Sequence, residues 1–134
     1  MPLPAVGTTN KCTWIVGRDH LASSFGSGLV DALATPVLVG FCEECARTLV
    51  DAALAPAQQT VGTRVDLEHI AATPLGMCVT VHVTLEDVDG RKLRFALEAS
   101  DEEELIGRGT HERFIVDVKR FASGVEDKRT RLSQ

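Results

Sequence analysis

One stretch constrains the fold more than any other, and it covers residues 34–55 (ATPVLVGFCEECARTLVDAALA). Thr35 and Pro36 predict a helix start, because a threonine hydroxyl can cap a free backbone N–H and a proline in the first turn has no N–H to leave unpaired. Pro56 ends the helical pattern. Apolar side chains cover most of the helix surface, and one polar stripe interrupts them. A helix this apolar must be enclosed by the rest of the chain.

The rest of the chain predicts five strands that enclose this helix. Residues 77–86 and 92–99 alternate between apolar and polar side chains, and the Asp89-Gly90 pair between them is a strong hairpin signal. Residues 65–71 alternate as well. Shorter or less regular patterns predict a first strand over 12–16 and a last strand over 105–121. Consecutive strands with tight turns pair antiparallel, so we expect an α+β fold in which a five-stranded antiparallel sheet wraps a long central helix. One sheet covers only one side of the helix, which predicts a homodimer.

Length and charge bound the domain organisation and the partners. The 134 residues predict one domain over 1–134, with residues 1–6 and 122–134 as peripheral tails. The net charge of −5 and the small number of aromatic residues argue against nucleic-acid binding. The sequence has no apolar run of the roughly 20 residues that a membrane span needs and no signal segment. We therefore expect a cytoplasmic protein without membrane contact.

Two further segments allow more than one interpretation. Cys42 and Cys45 form a CxxC pair inside the helix, but there is no second pair, so we expect buried thiols and no metal site. Residues 17–34 are irregular and predict a loop with one short helix. This loop either covers the helix start as a lid or simply connects two elements.

Three residues could carry chemistry. His69 is expected on the apolar face of its strand, where it is either a hydrogen-bonded core residue or a proton acceptor. Glu43 lies in the apolar helix, where burying an unpaired carboxylate costs free energy. It is therefore either a functional carboxylate or one member of an exposed i,i+4 ion pair with Arg47, and periodicity alone favours the ion pair. Thr35 is by default only a helix cap. The residues alone therefore leave the function open.

Three blocks of sequence resemble a known family. They are TPVLVGFCE at 35–43, GTRVDLEHIAATPLG at 62–76 and IGRGTHER at 106–113. With their spacing they cover nearly the whole chain, and the second and third blocks are the more specific. The chain resembles the fluoroacetyl-CoA thioesterase-like family of hot-dog acyl-CoA thioesterases. The resemblance implies the hot-dog fold, which agrees with the predicted helix and sheet.

The resemblance also implies site residues by position. The catalytic residues of the family fall on Thr35, Glu43 and His69, and its substrate-binding glycine and arginine fall on Gly62 and Arg113. A structural ion pair is the alternative role for Arg113. On its predicted strand, Arg113 shares a face with His111, Ile115 and Asp117.

The loop before the helix departs from the family pattern. The lid phenylalanines of the fluoroacetyl specialist align with Gly26 and Leu29, although Phe25 is adjacent. The resemblance thus implies thioester hydrolysis without the specialist's full aromatic lid.

The leading hypothesis is an acyl-CoA thioesterase that hydrolyses a short acyl-CoA, whether or not the acyl group is α-substituted, at a site between two subunits. No cofactor is expected, since coenzyme A is part of the substrate. The alternative is a hot-dog protein that binds or senses acyl-CoA without turnover. A hydratase is less favoured, because such enzymes carry an Asp/His pair near the helix and Asp51 has no histidine beside it.

Overall fold

The computed structural model describes residues 2–132, and this part contains five β-strands and three α-helices. The strands are β1 (Thr9–Ile15), β2 (Gln58–His69), β3 (Cys78–Asp89), β4 (Lys92–Ser100) and β5 (Leu105–Asp117). The helices are α1 (Ala22–Phe25), α2 (Thr35–Asp51) and α3 (Val118–Leu132), and a 3-10 turn covers Arg18–His20. Within this described part, no helix is long and apolar enough to cross a membrane.

The central helix α2 is shorter than the predicted helix over 34–55. It begins at the expected place, but beyond its last residue the chain tightens, and the N–H of Ala53 donates to the carbonyl of Val50 at 3.0 Å. Pro56 sets the outer limit of the helix, because Ala55, the residue before the proline, avoids helical backbone angles. The helix therefore unwinds before it reaches the proline.

The sheet encloses α2 as the alternation predicts. The side chains of α2 that are buried in this core are Leu38, Phe41, Cys42, Cys45, Ala46 and Val50. The fully or almost fully buried side chains of β3 and β4 are Val79, Val81, Val83, Leu85, Leu93, Phe95, Leu97 and Ala99. One continuous core thus lies between one face of the sheet and the helix.

The order of the strands corrects one expectation. The sheet runs β1-β3-β4-β5-β2, so β2 pairs with β5 and not with the next strand in the chain, while β1 occupies the free side of β3. The close approach of β2 to β5 depends on Gly109, where an added Cβ would lie 1.9 Å from the carbonyl oxygen of Asp66. The Pro74 to Gly76 turn therefore connects two strands that are not neighbours. Strands β1 and β2 form the edges of the sheet.

The C-terminal part also differs from the prediction. The expected strand over 105–121 ends at Asp117, and most of the expected tail over 122–134 is the exposed helix α3. Asp117 starts this helix, because its Oδ1 accepts the N–H of Arg120 at 3.0 Å. Apolar residues at helical spacing follow it: Val118, Phe121, Val125 and Leu132. Residues 133–134 lie outside the described residues.

The N-terminal part is more regular than expected. The first strand begins at Thr9 instead of residue 12, and in the expected tail over 1–6 Leu3 packs against the core, while Met1 lies outside the described residues. The loop over 17–34 contains the short helix α1, as predicted. The two ends of the loop are held together, because the N–H of Ala34, the N-cap residue of α2, donates to the carbonyl of His20 at 2.8 Å.

Candidate functional site

Thr35 and His69 meet at one end of the molecule. Thr35 is the first residue of α2, and His69 is the last residue of β2. Their Oγ1 and Nδ1 atoms are 2.7 Å apart, which is a short hydrogen bond. A cavity of about 230 Å³ opens beside them, with a lining of Leu33, His69, Ile70, Ala71 and Ala72. The structure therefore brings together two of the three predicted catalytic residues.

The environment of His69 keeps its imidazole neutral. Burial lowers the pKa of His69 from its ordinary value of 6.5, and the backbone of Ala71 offsets part of this effect. The Nε2 atom is covered and has no hydrogen-bond partner within residues 2–132. A proton on Nε2 leaves Nδ1 free to accept the hydroxyl proton of Thr35.

The hydroxyl of Thr35 does not cap α2, which corrects the default interpretation. Ala34 is the N-cap residue, and no side chain caps this helix. Pro36 has no N–H, and the N–H groups of Val37 and Leu38 both donate to the carbonyl of Ala34, at 3.1 and 3.0 Å. The hydroxyl is thus committed to His69, and the helix start keeps fewer free donors for a thioester oxygen than its sequence suggests.

Glu43 lies about two turns further along α2 and pairs with Arg113 of β5. Arg113 Nη1 donates to Glu43 Oε2 at 3.3 Å, with side chains that are 6% and 40% exposed respectively. The expected pair between Glu43 and Arg47 is wrong, because Arg47 pairs with Asp51. Helical periodicity does not reveal the true partner, since Arg113 is 70 residues away in the chain.

Arg113 sits in a network of further hydrogen bonds. Its Nε and Nη2 atoms donate to the hydroxyl and the carbonyl of Thr60, at 2.8 and 3.0 Å. Its Nη1 atom is also 3.2 Å from Nε2 of His111, whose Nδ1 atom is 2.8 Å from the carbonyl of Arg64. Burial lowers the pKa of both Arg113 and His111. The sequence placed His111 on the face of Arg113, at a spacing of two on a strand, but gave neither His111 nor Thr60 a role.

Gly62 makes room for the carboxylate of Glu43. It lies opposite Arg113 in the pairing of β2 with β5, beside a register shift at Thr63. A Cβ atom on Gly62 would lie 2.4 Å from Oε2 of Glu43 and 3.3 Å from Nη1 of Arg113. Irregular pairing of this kind is common next to functional sites. A larger residue at this position would therefore force the carboxylate of Glu43 to shift from its place beside Arg113.

The predicted site residues form two groups within one chain. Thr35 and His69 form one group, and Glu43, Gly62 and Arg113 form the other. Eight residues separate Thr35 from Glu43, which is about 12 Å along a helix axis. Within residues 2–132, no hydrogen bond joins Glu43 to the Thr35–His69 pair. A single copy of the chain does not close the Thr35–Glu43–His69 set.

The cysteines lie in the core. Cys42 and Cys45 are buried free thiols, as predicted, and burial raises the pKa of Cys42 to about 12. The pKa of Cys45 is raised as well, mainly by burial. Among the residues from 2 to 132, no three His, Cys, Asp or Glu side chains lie close enough together to hold a metal ion.

Known proteins resemble this chain in both sequence and fold. The model of the fluoroacetyl-CoA-specific thioesterase family matches residues 16–119. A fluoroacetyl-CoA thioesterase of Streptantibioticus cattleyicolor is 37% identical over 99 residues, which are 73% of this chain and 70% of the relative. A solved phenylalanine-to-alanine mutant of the fluoroacetyl-CoA-specific thioesterase FlK superposes with a TM-score of 0.91 at 28% identity, over 96% of this chain and 99% of that chain.

A more distant structure shares the fold. A thioesterase superfamily member from Thermus thermophilus has a TM-score of 0.90 at 24% identity, over 98% of this chain and 97% of that chain. The predicted α+β hot-dog architecture of the chain is confirmed. The chain belongs to the fluoroacetyl-CoA-specific thioesterase family, a family of hot-dog thioester hydrolases.

Proposed function

We propose that this chain hydrolyses short acyl-CoA thioesters to the free acid and CoA. The observation that carries the proposal is the 2.7 Å contact between Thr35 Oγ1 and His69 Nδ1 at the mouth of a cavity. Membership of the family supports the thioester class, and the fluoroacetyl-CoA thioesterase among its relatives supports a short acyl group. The proposal needs no metal or cofactor and includes the expected cytoplasmic location.

The chemistry requires little help for the leaving group. A CoA thiolate resembles a free cysteine thiolate with a pKa of about 8.5, so it departs without full protonation. The site must instead activate a nucleophile and hold its proton. The neutral imidazole of His69 takes the proton of the Thr35 hydroxyl. In one route the hydroxyl oxygen attacks the thioester carbonyl, CoA leaves as the thiolate, and water then hydrolyses the acyl-threonine ester to the free acid. In the other route the hydroxyl takes a proton from water as it gives up its own, and the resulting hydroxide attacks the carbonyl and expels the CoA thiolate.

The remaining carboxylate comes from a second copy in this proposal. Strand β2 is a 12-residue edge strand, and long uncovered edge strands are normally paired or protected. Val65 on β2 is 37% exposed, and Ile70 just after it is 46% exposed. Antiparallel pairing of β2 with a second β2 sets the His69 end of one copy against the Gln58 end of the other. In this arrangement Glu43 of the second copy lies closer to the Thr35–His69 pair, where its carboxylate can hold the attacking water, orient His69 or attack the thioester carbonyl itself.

The loop before α2 supports a substrate that is not restricted to fluoroacetyl groups. At the positions that align with the lid phenylalanines, Gly26 has a positive φ of 98° at the end of α1, and Leu29 is 96% exposed. Phe25 is 56% exposed. We propose that unsubstituted short acyl-CoAs are turned over at least as fast as fluoroacetyl-CoA.

A panel of CoA esters tests the proposal. Thiol release from fluoroacetyl-, acetyl-, propionyl-, butyryl- and longer acyl-CoAs is followed with a thiol-reactive dye, and His69→Ala defines the background rate. We expect turnover that is fastest with short acyl groups and declines as the acyl chain lengthens.

Two outcomes would overturn the proposal. No rate above background across the panel, in a folded protein, would remove the hydrolase function. A CoA ester that stays bound and intact for hours would favour the acyl-CoA-binding alternative instead.

A further inference from the structure

The histidine of the GTHER block is buried and has no part in the proton transfer at Thr35. His111 is 1% exposed, and its ring lies between the backbone of β2 and the guanidinium of Arg113. A buried histidine that touches the arginine holding Glu43 is well placed to act on Glu43 indirectly.

The two ring nitrogens of His111 have fixed roles. The carbonyl oxygen of Arg64 can only accept a hydrogen bond, so Nδ1 at 2.8 Å must donate and carry the proton. The guanidinium of Arg113 can only donate, so Nε2 at 3.2 Å must accept and stay unprotonated. Both contacts are satisfied together only by a neutral imidazole with its proton on Nδ1. Burial, which lowers the pKa of His111, favours the same neutral form.

The contact with His111 restricts where Arg113 can point. The Nη1 group of Arg113 has two hydrogens, one toward Oε2 of Glu43 and one toward Nε2 of His111. The Nε and Nη2 groups are held on Thr60 at the same time. Without the imidazole acceptor, Nη1 loses one of its two partners, and only the contacts with Thr60 still hold the guanidinium beside Glu43.

We propose that His111 is a positioning residue: as a neutral Nδ1–H imidazole, it holds Nη1 of Arg113 against the carboxylate of Glu43. The inference rests on the proposed hydrolase function in its kinetic consequences only. The hydrogen-bond arrangement itself can be measured without a substrate.

Packing is the competing explanation for a buried His111, since its ring also stacks on Phe95 with centroids 6.0 Å apart. Two variants separate packing from hydrogen bonding. His111→Leu fills the space without an acceptor, whereas His111→Gln places an amide oxygen near the position of Nε2. His82→Gln on the exposed face of β3 is the matched control.

Kinetics of these variants give the first test. We expect His111→Leu to lower kcat by about 10- to 100-fold with a smaller change in KM, because a displaced catalytic carboxylate loses its alignment. His111→Gln should stay within about threefold of the wild type, since it keeps the acceptor. In an Arg113→Met background, His111→Leu should lower kcat by no more than about twofold, because the effect of His111 on kcat depends on its contact with Arg113. Equal losses in both backgrounds, or no rescue by His111→Gln, would overturn the proposal.

Nitrogen-15 NMR of histidine-labelled wild-type protein gives the second test, at pH 7 and without substrate. We expect His111, assigned by its loss in His111→Gln, to show a protonated Nδ1 and an unprotonated Nε2. A proton on Nε2 would contradict the proposal even if every variant were inactive or misfolded. If no CoA ester is hydrolysed, this spectrum still decides the arrangement, so the two failures are distinguishable.

Discussion

The two ends of the candidate site differ in how tightly their groups are held. At one end, the exposed hydroxyl of Thr35 meets a half-buried imidazole, and the covered Nε2 of His69 has no hydrogen-bond partner within the described residues. At the other end, the buried guanidinium of Arg113 donates at least four hydrogen bonds, to Glu43, Thr60 and His111. The first end has a proton that can move, and the second holds a charge in place.

This difference assigns different work to the two ends. A proton acceptor must be neutral at the working pH and have few competing partners, and burial, which lowers the pKa of His69, keeps its imidazole in the neutral form. A carboxylate that must be aligned needs a rigid partner, which describes Glu43 on Arg113. The two ends lie about 12 Å apart along α2, and in the proposed function another copy brings the second end to the first.

The largest effect is expected at the end of the site that contains Thr35 and His69. His69→Ala should lower kcat by about 10²- to 10⁴-fold, because it removes the group that accepts the proton of Thr35. Steady-state kinetics with the best CoA ester measure this loss, with His82→Ala as the exposed-histidine control. A kcat within about threefold of the wild type would show that the imidazole does not transfer a proton in the rate-limiting step.

The end of the site that contains Glu43 and Arg113 is tested by steric displacement of the carboxylate. Gly62→Ala should lower kcat by roughly 10- to 100-fold, because its Cβ would lie 2.4 Å from Oε2 of Glu43 and would shift the carboxylate out of its alignment. Gly124→Ala, with nothing within 4 Å of its added Cβ, is the control. Unchanged turnover in Gly62→Ala would mean that the position of Glu43 is not critical.

A smaller effect is expected from the hydroxyl contact itself. Thr35→Val keeps the shape of the side chain and removes the hydrogen bond to Nδ1 of His69, so we expect a loss of about tenfold if the hydroxyl only positions water. A loss as large as that of His69→Ala would instead identify the hydroxyl as the nucleophile. Thr35→Ser, which keeps the hydroxyl, should retain most of the activity in both cases.

The smallest effect is on stability as the pH falls. Burial lowers the folded-state pKa of both His69 and His111 from the ordinary value of 6.5, so the unfolded chain binds protons first as the pH drops below that value. The contribution of these two histidines to the free energy of unfolding is therefore fully present above about pH 6.5 and declines toward pH 5. Thermal unfolding from pH 7.5 to 5.5 should give a shallower slope for His111→Gln than for the wild type. Parallel slopes would show that His111 does not contribute.

The sequence predicted the elements better than their partners. Alternation in β3 and β4 identified their buried faces, because a period of two is a property of the strand itself. The pairing of β2 with β5 was missed, since it depends on the close backbone approach at Gly109, which no local pattern records. Helix α3 was missed although Asp117 and the spacing of Val118, Phe121 and Val125 carried the signal.

The candidate site shows the same limit. Residue types and family-like blocks predicted Thr35 and His69, but their contact joins residues 34 positions apart and follows from the fold. The salt bridge of Glu43 was assigned to its helix neighbour Arg47, because local spacing is all that periodicity can rank. The role inferred for His111 needs the tautomer that the carbonyl of Arg64 imposes, which is visible only in three dimensions.

Mixing two inactive variants tests the shared site most directly. His69→Ala and Glu43→Gln are each purified, mixed in equal amounts, unfolded and refolded together, and assayed against each variant refolded alone. If each site takes His69 from one copy and Glu43 from the other, half of the dimers are mixed and contain one intact site of two, so about a quarter of the wild-type activity should return. If all three residues act within one chain, every site keeps a defect and the mixture stays as inactive as its components, which would contradict the account.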